Sequence, residues 1–422
     1  MSAHPPSLKN KNSPFSSFRQ PQFSWLFASN MIFFLAMGGQ SVVRAWLAFK
    51  LTDSEFALGM VMFAVAIPML LFGPFGGAVA DRVDRRNLIV WGQLVVFSSE
   101  VVICLLIFSE QLQFWHLLCA AGVNGSVFPF IMPARNAIIA NIVGKLGLGK
   151  AMALNMAGMN TTRVLGPATA GLLIDAAGVG NTYLFGVLLY GVGLLCMTRV
   201  QNSPPSPEMK RTSVGRSIIQ GVKYVRENRL VLVLLVFGLI PMLLAMPFQN
   251  LLVVFAEKIW DVGSRGLGLL SATMGIGGVV GSFWVATLGE TQRRLKRMMI
   301  SMLAFGFLLF CFAVSPYFLL GLTLVFLANI FANVYGTLNN TAIQILIPDQ
   351  VRGRISSFLM MSFSLPLLGT LPVAAIAEVY GAPFAVALSS VLAVIVALVF
   401  YVLSPTLRNM DAGVKRAMMD GS

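Results

Sequence analysis

Residues Gly73 to Arg86, which read Gly-Pro-Phe-Gly-Gly-Ala-Val-Ala-Asp-Arg-Val-Asp-Arg-Arg, end one long apolar run and begin the next with only a burst of charge between them. Soluble folds seldom need that arrangement. A bilayer does, because each spanning helix satisfies its own backbone inside hydrocarbon while the connecting turn returns to water and can carry charge. The glycines allow close helix packing, and the Asp81 to Arg85 spacing of i, i+4 suits an ion pair.

Composition decides against a water-soluble globule: 57% of the 422 residues are hydrophobic and 11% charged, with a mean hydropathy of +0.81. The net charge of +14 does not indicate nucleic acid, because Lys and Arg sit between apolar runs and no basic domain with stacking aromatics is present. Cys104, Cys119, Cys196 and Cys311 all lie in apolar runs without CxxC spacing and read as small buried hydrophobes. His4 and His116 are too sparse for a metal site or a histidine-based catalytic centre, so no metal and no cofactor is expected.

About twelve runs are long enough to span, with cores near 23–49, 56–80, 87–109, 114–140, 150–174, 180–199, 230–256, 265–288, 298–315, 317–347, 355–378 and 382–404. The chain then divides into a polar tail 1–22, a six-helix half 23–200, a linker 201–229, a second half 230–404 and a tail 405–422. The first run follows about twenty polar residues with no small-residue cleavage site, and reads as a retained helix. In the linker, Ile218, Ile219, Val222 and Val225 recur at helical spacing among basic residues, as in an amphipathic helix lying on a membrane surface. Alternate loops carry Arg82, Arg85 and Arg86, then Lys145 and Lys150, the linker, Arg293 to Arg297, and Arg352 with Arg354, which predicts that these loops and both termini are cytoplasmic. The opposite loops hold only Lys50, Lys258 and Arg265.

The chain also repeats. A shift of 209 places Gln40 on Gln249, Leu58-Gly59 on Leu267-Gly268, Asp81 on Glu290 and Arg85 on Arg294. A shift of 203 places Gly166 on Gly369, Asp175 on Glu378 and Gly178 on Gly381. Two consistent offsets point to two related six-helix halves.

On these residues the chain resembles the major facilitator superfamily over nearly its full length. The run Gly76 to Arg86 is similar to the signature between that superfamily's second and third helices. Leu51-Thr52-Asp53-Ser54, Ala57-Leu58-Gly59, Arg163-Val164-Leu165-Gly166-Pro167 and Pro348 to Arg354 resemble its bacterial enterobactin-exporter-like, transmembrane secretion effector branch. The resemblance implies an all-α membrane protein of twelve transmembrane helices in two pseudo-symmetric six-helix bundles, opening alternately to each side. It also implies a conformational switch at Gly77, Asp81, Arg82, Arg85 and Arg86, echoed at Glu290 and Arg294. Two departures stand out: Ala121 occupies the fourth-helix position where drug antiporters usually carry arginine, and the fifth-helix antiporter motif survives only as Gly166-Pro167-Ala168-Thr169-Ala170-Gly171. Gly166, Pro167 and Gly171 read as helix-packing positions.

Polar groups inside apolar spans are the remaining pointers, since they are expensive in hydrocarbon and normally face protein or a wet cavity. Arg163, near the middle of the fifth span, needs a carboxylate, helix-end carbonyls or an anionic substrate. Arg44 joins it in the candidate cavity, although its place toward the end of the first span would let it snorkel. Gln40 and Gln249 match across the repeat, Asn250 is adjacent, and Asn329 and Asn333 share one face of the tenth span; all are substrate-cavity candidates or interhelix ties. Glu100 is the one acid deep in an apolar span and is the candidate for proton coupling.

The residues point to a secondary transporter, and the resemblance implies that it is a monomeric protein of the bacterial inner membrane exporting a small organic molecule, siderophore-like or amphipathic, at the expense of the proton gradient. Uptake or lipid translocation is the alternative within transport. A membrane enzyme would need clustered nucleophile, base or metal ligands, and no Walker-type Lys-Ser/Thr pair supports ATP-driven action.

Overall fold

The computed structural model describes residues 14–80, 82–204, 223–287, 293–347 and 365–420. All regular structure among them is helical. The spans are α1 (Pro21–Thr52), α2 (Glu55–Ala80), α3 (Arg85–Phe108) and α4 (Phe114–Gly144), followed by a 52-residue apolar segment, Gly147–Thr198. A helix of that length would measure about 78 Å, far more than the ~30 Å hydrocarbon core. Gly178, at φ 82° and ψ 166°, reverses the chain inside it and separates α5 (147–177) from α6 (179–198). The second half contains α7 (Arg229–Ile259), α8 (Gly263–Thr287), α9 (Arg294–Ala313), α10 (Phe318–Leu346), α11 (Leu365–Tyr380) and α12 (Ala382–Leu403). Short helices α13 (Pro405–Arg408) and α14 (Met410–Asp420) end it. Of the linker helix, residues 223–227 are described and are helical; the rest of that expectation lies outside the described residues.

Side chains such as Leu71, Trp91, Leu105, Leu188, Phe283, Phe307 and Leu319 are exposed around the bundle. An outward-facing apolar belt of this extent belongs in lipid.

The twofold relation is visible in the helix seams. A Cβ on Gly59 of α2 would lie 2.8 Å from Ala374 Cβ and 3.1 Å from Leu371 Cα of α11. Its repeat partner Gly268 of α8 meets Gly171 Cα at 2.9 Å and Ala168 O at 3.3 Å on α5. Gly171 and Ala168 stand 203 residues before Ala374 and Leu371, so the same seam is built twice. Gly178 and Gly381 likewise share a positive φ, at 82° and 87°.

At one face, the terminal face, the start of α1 meets the turns at Arg85 and Ser203 through Arg85 N to Ser203 O (3.1 Å) and Gln201 N to Gln22 Oε1 (2.7 Å), and α14 meets the turn at Arg294 through Leu295 N to Asp411 Oδ1 (3.2 Å). The buried core differs between this terminal face and the far face. Toward the far face one continuous apolar core joins the halves, running from Val43, Phe49 and Leu58 to Val253, Phe255 and Leu267. Toward the terminal face, Phe23, Leu26, Ile138, Ile139 and Ala151 of the first half form, among the described residues, a core of their own.

Candidate functional site

Against the separate core of the first half lies a cavity of about 440 Å³. That size suits a small organic ligand. α1 contributes Phe33, Phe34, Met37, Ser41 and Arg44; α2 Met62 and Met69; α4 Asn124, Phe128 and Met132; α5 Met159, Thr162 and Arg163; α6 Tyr190; and α11 Leu367. The close approach of α1 and α5 that shapes this wall depends on Gly166, where a Cβ would lie 2.9 Å from Leu35 O and 3.0 Å from Gly39 N. Pro167 Cδ lies against Gly38 beside it, and Gly171 sits on Gly268 farther along.

One end of the cavity is organised by a carboxylate behind its wall. Glu100 of α3 is fully buried and accepts from Arg44 Nη2 at 2.6 Å, from Asn124 Nδ2 at 2.9 Å and from the Tyr183 hydroxyl. Three donors from α1, α4 and α6 saturate it, and the Arg44 charge answers its own. Arg44 therefore does not snorkel: it is 7% exposed and spends its charge inward. A paired buried charge of this kind is stable as a pair and costly when one member is removed.

Arg163 lies on the same cavity and makes no hydrogen bond or ion pair with a described residue. A third cation, Arg135 of α4, is more unusual. It is 2% exposed, all three guanidinium nitrogens lack a hydrogen-bond partner, and its guanidinium stands 4.5 Å and 4.9 Å from the ring centres of Phe33 and Phe34. Cation–π attraction offsets part of the burial cost. The signal that marks Arg163, a cation inside an apolar run, is equally present at Arg135, so the pattern of charge in the spans marks both.

Five other cavity candidates lie elsewhere. Gln40 turns toward α6, donating to Tyr183 O at 2.9 Å. Gln249 falls in a 3₁₀ stretch, Met246–Leu251, where Pro247 interrupts α7, and its amide reaches Met246 Sδ at 3.2 Å. The repeat pairs these glutamines by number, yet α1 is regular and α7 is broken, so the two stand on different local backbones and bond to different partners. Asn250 donates to Thr370 Oγ1 on α11 at 3.0 Å. Asn329 and Asn333 back-bond to Val325 O (2.9 Å) and Asn329 O (3.1 Å) and sit against Gly277 and Gly278 at the α8–α10 seam.

In the charged turn, Asp81 and Glu290 lie outside the described residues. Asp84 caps α3 by accepting from Asn87 N at 2.9 Å, and Arg86 Nη2 donates to Thr198 O at 2.8 Å at the end of α6. A cation there meets the negative end of the helix dipole. Arg82 is exposed, while Arg85 and Arg294 are buried. Gly77 faces open space; the tight approach belongs to its neighbour Gly76, which lies on the Pro129 carbonyl of α4.

At the far face the halves are clasped by charge. Lys50 pairs with Glu257, and Lys258 reaches Glu55 Oε1 at 3.2 Å and Asp53 Oδ1 at 3.3 Å. Glu378 of α11 accepts from Ser54 Oγ at 2.9 Å and from Phe56 N at 3.0 Å, capping α2. The pattern of basic residues places Lys50 and Lys258 in loops of one face, but only the fold shows that each contact crosses between halves.

A family model described as transmembrane secretion effector matches residues 12–420. The chain belongs to that family. It is thus a multi-pass membrane transporter of the major facilitator type and not an enzyme. The staphyloferrin A transporter of Staphylococcus aureus is 22% identical over 91% of this chain and 96% of its own length. The enterobactin exporter EntS of Shigella boydii is 23% identical over 80% of each chain. The macrolide efflux protein A of Streptococcus pyogenes is 20% identical over 75% of this chain and 80% of its own. Among solved structures, the nucleoside transporter NupG superposes with a TM-score of 0.72 at 13% identity, over 90% of this chain and 98% of its own. A bacterial homologue of the lysosomal transporter Spinster, in an inward-facing, unoccupied conformation, gives 0.71 at 14% identity, over 96% and 98%. These last two likenesses concern the fold alone.

Proposed function

We propose that the protein exports a small organic molecule, siderophore-like or drug-like, by alternating access, with both termini in the cytoplasm, and that it acts as a monomer driven by the proton gradient. The observation that carries this reading is the uneven core. The halves share one packed core and an ion clasp at the far face, while the cavity adjoins the part of the first half that packs by itself toward the terminal face. A conformation closed outside and loadable from inside is the starting point of an exporter's cycle. Exporters are also what the names of the similar siderophore and macrolide proteins describe.

Coupling is assigned to the Glu100 network. A proton on Glu100 would cancel its attraction for Arg44, freeing a cavity-lining cation and loosening α1 from α3. Asp81, Arg85, Glu290 and Arg294 would act as the catch on the cytoplasmic side. The test is a panel of siderophores and amphipathic drugs in cells with and without the gene. Faster efflux of at least one compound, abolished by a protonophore and by Asp81→Asn with the protein still inserted, is expected; accumulation in place of efflux would replace export by uptake.

A further inference from the structure

We propose that the cavity is built for an amphipathic organic anion, with Arg163 as its counter-charge. This rests on the transport reading above and names the class of molecule carried.

Charge around the cavity is unbalanced, and Arg163, exposed on its lining, is the cation a ligand can reach. The interiors of the first-half spans contain Arg44, Arg135 and Arg163 and a single carboxylate, Glu100. Glu100 is committed to Arg44. Arg163 lines the cavity without a carboxylate among the described residues, and Arg135, buried and without a hydrogen-bond partner, stands behind Phe33 and Phe34 on the cavity's wall. Two uncompensated guanidinium groups beside one cavity make its potential positive, and a guanidinium matches carboxylate, sulfonate or phosphate oxygens in a bidentate fork. A cationic ligand would meet the same groups as repulsion. The remaining wall is apolar and adaptable. Met37, Met62, Met69, Met132 and Met159 offer flexible thioethers that can repack around differently shaped apolar bodies. The shared chemistry is an anionic head on an apolar body, which either a free metabolite or an anionic lipid could supply.

The probes are three matched compounds: 1-naphthalenesulfonate, neutral 1-naphthalenemethanol and cationic 1-naphthylmethylammonium. Binding is measured calorimetrically to the full chain in phosphatidylcholine nanodiscs, with empty nanodiscs subtracted. The sulfonate should bind roughly tenfold or more tightly than the other two. Arg163→Gln should remove that preference, Arg163→Lys should keep most of it, and the neutral compound should bind all three proteins alike, which also reports that the variants are folded. Equal or tighter binding of the cation, indifference of the sulfonate to Arg163→Gln, or no sulfonate binding up to about 1 mM would overturn the proposal. Phosphatidylglycerol in the nanodisc separates the sources: competition with the sulfonate supports a lipid anion, and its absence supports a soluble one. Efflux of the three probes from loaded cells separates this proposal from the one before it. Sulfonate that binds but is not exported counts against export and leaves the anion preference standing, whereas export of only the neutral or cationic probe does the reverse.

Discussion

The two halves are built on one plan and filled with different chemistry. Their seams repeat residue for residue, Gly59 on Leu371 and Ala374 as Gly268 on Ala168 and Gly171. Yet the interior charges all belong to the first half: Arg44, Glu100, Arg135 and Arg163 have no charged counterparts deep in the described spans of the second, where Tyr335 donates to Phe237 O at 2.6 Å and Asn329 and Asn333 bond to their own helix. Duplication preserved what rocking requires, two equivalent close-packed hinges. Buried charge is costly wherever it stands, which makes the first half the place to test for a ligand or a coupling step. On the transport reading proposed above, the second half would serve as the fulcrum and the first half would hold the cargo.

The sharpest way to break that comparison is to remove one member of the Arg44–Glu100 pair. Arg44→Ala or Glu100→Ala leaves a buried charge alone and should destabilise the protein by about 3–5 kcal/mol, whereas the double variant Arg44→Met/Glu100→Met should recover most of the loss. Thermal unfolding in detergent measures both. Tyr335→Phe, the second half's nearest equivalent, should cost only about 1 kcal/mol. A similar loss in both halves would mean that the charge network is ordinary packing.

The seams test the symmetric side of the comparison. A Cβ at Gly171 would lie 2.5 Å from Gly268 Cα, a backbone atom that no rotamer change can move aside. Gly171→Val and Gly59→Val should each cost about 1–3 kcal/mol in the closed state and pry the far face apart. Spin labels across the far face should then report longer distances in both variants. If only one variant opens it, the hinges are not equivalent.

The fold was legible in the sequence for physical reasons that explain where legibility stopped. Hydrocarbon demands continuous apolar runs and charged turns, so the span cores read from sequence overlap each of the helices α1 to α12, and the two offsets reappear as seams. Hydropathy holds no helix phase, however, and the candidate site depends on phase. Arg44 and Glu100 stand 56 residues apart and meet only in the folded bundle, where both α1 and α3 pack on the helices that supply Asn124 and Tyr183. Gln40 and Gln249 match by number, but Pro247 breaks α7 and turns the second glutamine into its own coil. Arg135 carried the same sequence signal as Arg163. What made it informative, the loss of every hydrogen-bond partner, exists only in three dimensions.

The far-face ion pairs should contribute less than the seams. Lys258 is partly exposed beside Glu55 and Asp53, and exposed pairs contribute at most about 1 kcal/mol, less in salt. Lys258→Gln should therefore leave unfolding nearly unchanged and shift the open population of the far face modestly, with the shift vanishing near 1 M salt, where the screening length is about 3 Å. A large, salt-independent opening would place the clasp above the packed core in holding the halves together.

The smallest effect is expected at Asn333. Its amide bonds to Asn329 O at 3.1 Å within α10 and lies against Gly278 of α8, so Asn333→Ala removes one bond inside its own helix and a packing contact, a loss no larger than the roughly 0.6 kcal/mol that side-chain hydrogen bonds average in membranes. Efflux should proceed at the wild-type rate, since no described atom of Asn333 lines the cavity. Because the substitution is so mild structurally, loss of efflux with unfolding unchanged could come only from the transport path. It would place cargo against α10 in another state of the cycle, and the division between a fulcrum half and a cargo half would fall.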